Sequence, residues 1–126
     1  MRLLLDTQVC LWFLGKPTRV SRAARRALDD AEAVFVSAAS VWEAAIKASM
    51  GKLDVNVAEL IAQIEASGFN PLTVTFEHAA RVAALPAYHR DPFDRLLIAQ
   101  AVHETMRLLT TDRTLARYSE LVMTVD

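Results

Sequence analysis

Four acidic side chains stand where carboxylates could work together: Asp6 after the run Leu3-Leu4-Leu5, Glu43 in SAASVWEAAIK, Asp94 in HRDPFDRLLIAQA, and Asp112 in LLTTDRTLARY. Brought close, such groups repel. Two unit charges 4 Å apart cost about 4 kcal/mol at an effective dielectric of about 20, and a domain has only about 5–15 kcal/mol of net stability. Either some of the acids take up protons or a cation sits among them. All-oxygen ligands favour Mg²⁺ or Mn²⁺ over zinc or copper. Such an ion polarises a phosphodiester and acidifies a bound water, and a second ion can stabilise the leaving oxygen. Each acid also has a purely structural reading. Asp6 could simply end a strand, and Glu43 could pair with Lys47 at i, i+4. Asp91 and Asp94 could serve a helix start, and Asp112 could cap the short helix Arg113–Tyr118.

Convergence depends on the elements that carry these acids. Short apolar segments at residues 2–5, 33–36, 73–75, Arg107–Thr110 and 121–125 suit strands buried on both faces of a parallel sheet. Helical segments alternate with them. Residues 21–29 start from Ser21 as N-cap, and Ala38–Ser49 starts after Ser37 and stops near Gly51. Val57–Ala66 carries apolar residues at 57, 60, 61 and 64, the stripe of a buried helix. Residues 77–85 stop before Pro86, and Pro92–Glu104 has Asp91 as N-cap with Pro92 in the first position. This alternation implies a parallel sheet covered on both faces, with right-handed crossovers, and ligands gather at the carboxyl ends of such strands.

Asp6 ends the first strand there. From Asp94 to Glu104 a helix descends about 15 Å at 1.5 Å per residue. After the turn at Thr105-Met106 the chain climbs back about 15–20 Å to Asp112 at 3.3 Å per residue. Asp94 and Asp112 therefore reach similar heights. Glu43 lies under two turns into its helix, and its side chain leans back toward the helix N-terminus.

At 126 residues, 53% hydrophobic and 23% charged, the chain suits one soluble domain spanning residues 1–126. The single cysteine, Cys10, leaves no intramolecular disulfide, so a reducing cytoplasm is the expected location. No apolar run approaches a membrane span of roughly 18 residues, and Asp6 cuts the first run too short for a secretory signal. The net charge of −1 gives no global basic field. Arg19, Arg22, Arg25 and Arg26 cluster locally, as a solvated helix face or an RNA-facing patch. His78, His89 and His103 lack zinc-ligand spacing, and no GxxxxGK[ST] or GxGxxG loop is present. A haloacid-dehalogenase-like phosphatase needs a second acid two residues after the first, where Gln8 stands here.

The four quoted segments resemble, in order and spacing, the PIN-domain toxins of VapC type, from the first strand to the last. The resemblance implies a three-layer α/β/α sandwich with a central parallel sheet of four to five strands. It implies a Mg²⁺- or Mn²⁺-dependent endoribonuclease, an RNA substrate, an antitoxin partner from the same operon, and a homodimer. Asp6, Glu43, Asp94 and Asp112 match the family's catalytic and metal-binding acids, and Thr7 and Thr110 match hydroxyl positions flanking the site. Asp91 and Asp94 both offer themselves as the third acid, and the eighteen-residue step to Asp112 favours Asp94. The turn at Thr105-Met106 departs from the family in lacking a glycine. Trp12, Phe13 and Leu14 have two readings, core or a groove for an antitoxin helix. The alternative to an enzyme is a non-catalytic module that binds metal or a partner.

Overall fold

The computed structural model describes residues 1–126. The strands are β1 (Leu3–Leu5), β2 (Val34–Ser37), β3 (Asn70–Leu72), β4 (Arg107–Thr110) and β5 (Val122–Thr124). The helices are α1 (Thr7–Gly15), α2 (Arg22–Asp30), α3 (Ala38–Ser49), α4 (Val57–Ala66), α5 (Phe76–Val82) and α6 (Pro92–Glu104). All strand pairs are parallel, in the order β3-β2-β1-β4-β5. Leu5 lies level with Val36 on one side and Leu109 on the other. Asp6 therefore emerges level with Ser37 and Thr110, the last residues of β2 and β4, at the sheet's carboxyl edge.

Alternation along the central strands builds two cores. Leu3, Leu5, Val36 and Leu109 face one layer, packed with Val9, Cys10, Ala24, Ala44, Leu60 and Ile64 from α1 to α4. Leu4 and Leu108 face the other, packed with Leu97, Ile98 and Ala101 of α6 and with Leu115. Leu3, Leu4 and Leu5 are buried on both sides, which is why they read as an unbroken apolar run. The result is the expected three-layer α/β/α sandwich.

Several elements begin where their caps stand. Ser21 Oγ accepts from the Ala24 N–H (3.1 Å) and Ser37 Oγ from the Ala39 N–H (3.0 Å). Asp91 Oδ1 accepts from the N–H groups of Phe93 (2.8 Å) and Asp94 (3.0 Å), with Pro92 opening α6. Three expectations need correction. The third strand is Asn70–Leu72 rather than residues 73–75. Pro71 is tolerated there because β3 is the sheet's edge. Thr75, expected in that strand, instead caps α5, which spans Phe76–Val82 rather than residues 77–85. Helix α1 was not anticipated at all: its residues Thr7–Gly15 are nearly all apolar, so no polar face marks a helical period.

Candidate active site

Asp6 caps α1 as well as ending β1. Its Oδ1 accepts from the Val9 N–H (2.9 Å), and its Oδ2 accepts from Thr110 Oγ1 (2.5 Å). Thr110 is fully buried and also accepts from the Asp112 N–H (3.0 Å), so one hydroxyl fixes two acids from two ends of the chain. Asp6 is only 6% exposed. Burial raises its pKa above the usual carboxylate value; the hydrogen bonds from Thr110 and Val9 oppose the rise, and the charges of Glu43 and Asp112 add to it.

Glu43 is buried on α3. Its Oε2 accepts from Lys47 Nζ (2.9 Å), while its Oε1 is buried with no hydrogen-bond partner. Leaving an ionised oxygen in that state costs on the order of 1–3 kcal/mol or more. Lys47 is held above the usual ammonium range, first by its hydrogen bond to Glu43 and further by the charges of Glu43, Asp91 and Asp94.

Asp94 sits in the first turn of α6 with its Oδ2 2.8 Å from His89 Nε2. Its pKa is pushed up to about 6, first by burial, then by Asp91 and Asp6; the His89 contact opposes the rise. Asp112 spends one oxygen on a cap, since its Oδ1 accepts from the Thr114 N–H (3.0 Å) and Thr114 Oγ1 (2.6 Å). The structural reading of Asp112, as the cap of the short helix Arg113–Tyr118, is therefore observed.

Asp6, Glu43, Asp91, Asp94 and Asp112 line one cleft of about 320 Å³ at the carboxyl edge, together with Thr7, Gln8, Leu11, Lys47, Lys52, Leu53 and Thr111. Thr7 Oγ1 donates to Ser40 Oγ (2.9 Å), which ties α1 to α3 beneath that wall. Five carboxylates against two ammonium groups leave the cleft short of positive charge. The orphaned Glu43 Oε1 marks a place where a cation would be satisfied. The donors thus fit a divalent ion.

Sequence reasoning missed His89. The ligand atoms of His89, Asp94 and Asp112 lie within 4.8 Å of one another. Only the position of His89 just ahead of the α6 cap hinted at this, because a residue there is carried to the same edge as Asp94. His78, His103 and Glu104 form a second group at the same spacing.

Two other expectations fall outside the cleft. Arg19, Arg22, Arg25 and Arg26 are all exposed, and none lines it. Arg22 and Arg26 instead flank a separate hollow of about 390 Å³ beside Met123. Trp12, Phe13 and Leu14 are half-buried against the core, with Phe13 packed 5.5 Å from Phe69 between ring centres, so the core reading holds for them.

A family model described as the PIN domain matches residues 3–121. In sequence, the chain is 35% identical over 114 residues to Ribonuclease VapC22 of Mycobacterium tuberculosis, covering 89% of this chain and 88% of that protein. Among solved structures it is similar to VapBC2 from Rickettsia felis bound to a promoter DNA fragment, with a TM-score of 0.74 at 14% identity over 100% of both chains. It is also similar to a toxin-antitoxin complex from Klebsiella pneumoniae, with a TM-score of 0.68 at 19% identity over 97% of this chain and 96% of that one. At these identities the two structural likenesses carry the fold.

Proposed function

The chain belongs to the PIN-domain family, and from that premise we propose that it is a divalent-metal-dependent endoribonuclease acting as the toxin of a toxin–antitoxin pair. The observation that carries this reading is the meeting of acids from four separate segments in one cleft, with a buried Glu43 oxygen left unpartnered. The likeness to a ribonuclease supports RNA as the substrate, and the likeness to toxin–antitoxin complexes supports an antitoxin partner.

Asp6, Glu43, Asp94 and Asp112 would hold the ion, Mg²⁺ or Mn²⁺, with Asp91 alongside. When bound, the ion supplies polarisation of the scissile phosphodiester and acidification of a water. The chain's own groups do the rest. Thr110 and the start of α1 hold Asp6 in one rotamer, so its oxygens need little reorganisation. Thr7 holds α1 against α3 and so sets the spacing of Asp6 from Glu43. Lys47 and Lys52 offer ammonium donors on the cleft wall to the phosphates of an RNA strand. All of this lies within residues 1–126, read as one catalytic domain, and a homodimer is its expected state in solution.

The deciding experiment is an RNA cleavage assay with Mg²⁺ or Mn²⁺, with EDTA, and with Asp6→Asn. Cleavage abolished by both chelator and substitution is expected. Cleavage that survives Asp6→Asn would remove the proposal, and no cleavage of any RNA would leave a binding module.

A further inference from the structure

We propose that His89 is a nitrogen ligand of the ion in this cleft, so that the donor set is an imidazole with carboxylates and selects Mn²⁺ over Mg²⁺. This rests on the reading that the cleft holds a divalent ion. His89 Nε2 lies 2.8 Å from Asp94 Oδ2, and it shares the 4.8 Å cluster with Asp94 and Asp112.

The backbone that carries the ring is held in place by a clamp. The main-chain N–H of His89 donates to Tyr118 Oη (2.8 Å), and Arg95 Nη1 donates to the same Oη (3.2 Å). Arg95 also donates to the carbonyls of Pro86 (2.8 Å) and Val82 (3.1 Å), so the whole connection from α5 to α6 is gathered onto one guanidinium. A planar donor fork suits that task better than an ammonium. The side chains of His89 and Asp94 are 24% and 23% exposed, near enough to solvent for an ion to enter.

Tautomer decides which of the two histidine groups can ligate. His78 Nδ1 accepts from the Thr75 N–H (3.1 Å), so its ring proton is locked on Nε2, facing Glu104 Oε2 at 2.8 Å. It has no lone pair to offer there, and that group is structural. Without an ion, the 2.8 Å contact holds a proton between His89 Nε2 and Asp94. No protein group bonds to His89 Nδ1, so the ring proton can shift there when an ion takes the Nε2 lone pair. A second observation points to a cation independently: Glu43 Oε1, in the same cleft, is buried and unpartnered. Mg²⁺ holds to oxygen ligands and dehydrates reluctantly; Mn²⁺ is the weakest nitrogen binder of the first-row series, yet an imidazole among its donors costs it less than it costs Mg²⁺.

The test uses the full chain. Pulsed electron paramagnetic resonance of the Mn²⁺ complex should show coupling to a directly bound ¹⁴N, lost in His89→Gln. By calorimetry, His89→Gln should weaken Mn²⁺ by about tenfold or more while Mg²⁺ changes far less. Circular dichroism of the variant checks its fold, and the wild-type resonance decides the matter even if the variant unfolds. Mn²⁺ bound without ¹⁴N coupling, or equal weakening of both ions, would overturn the ligand role and leave the carboxylate site standing. Failure to bind Mn²⁺ at all would remove the metal site and this inference together.

Discussion

In the metal-free protein Asp94 titrates near 6, well above its value of 3.8 in an unfolded chain, because burial and the Asp91 charge disfavour its ionised form. Between those two values the folded state binds more protons than the unfolded state. The stabilising contribution is complete below about pH 4 and is lost as pH rises through about 6. Discounted for partial exposure, it amounts to on the order of 1–2 kcal/mol. Asp6, also raised, has the same sign. Thermal melting in EDTA should therefore fall from pH 4.5 to pH 7 by more in the wild type than in Asp94→Asn; equal falls would show that Asp94 titrates normally. Asp6→Asn can still accept from the Val9 N–H, as asparagine is a good cap. Its NH2 cannot accept from Thr110 Oγ1, whose hydroxyl must reorient, so the metal-free melting temperature should shift only modestly while cleavage drops at least about 100-fold.

Helix α6 and strand β4 carry two acids of the site between them, and the ends of α6 set their positions. Asp91→Ala removes the acceptor for two backbone N–H groups and should cost about 1 kcal/mol. In a domain of this size that lowers melting by about 3–5 °C, measurable by differential scanning calorimetry. An unchanged melting temperature would argue that Asp91 serves the cleft rather than the helix. At the other end Thr105 has φ 55° and ψ 53°, a left-handed conformation that a β-branched residue adopts at a cost of about 1–2 kcal/mol. Thr105→Gly should therefore raise the melting temperature by several degrees without altering cleavage. The missing glycine noticed in the sequence is thus a real strain in the turn.

For the molecule as a whole, repulsion among five cleft acids is the main unfavourable interaction that a bound ion would relieve. Mn²⁺ or Mg²⁺ at about 100 times its dissociation constant should add about 2.7 kcal/mol to the stability. That shows as a rise of several degrees in melting temperature, reversed by EDTA. A melting curve indifferent to millimolar metal would count against an ion site. The reading of one sandwich came readily from the chain because β1, β2 and β4 are short apolar runs and α3, α4 and α6 carry clear caps or stripes. The spacing of Asp94 from Asp112 likewise follows from helix and strand rises alone.

What the chain's order of residues determined by itself was everything that local geometry controls: caps at Ser21, Ser37 and Asp91, the buried strands, and the edge at which Asp6, Glu43, Asp94 and Asp112 emerge. Tertiary structure decided the rest. Helix α1 forms in a nearly all-apolar run whose period only packing reveals, and β3 takes in Pro71 because it lies at the sheet's edge. The dual role of Thr110, the unpartnered oxygen of Glu43 and the approach of His89 to Asp94 depend on which side chains meet across separate segments. Those contacts arise from the packing of two helical layers on one sheet, and no spacing along the chain encodes them.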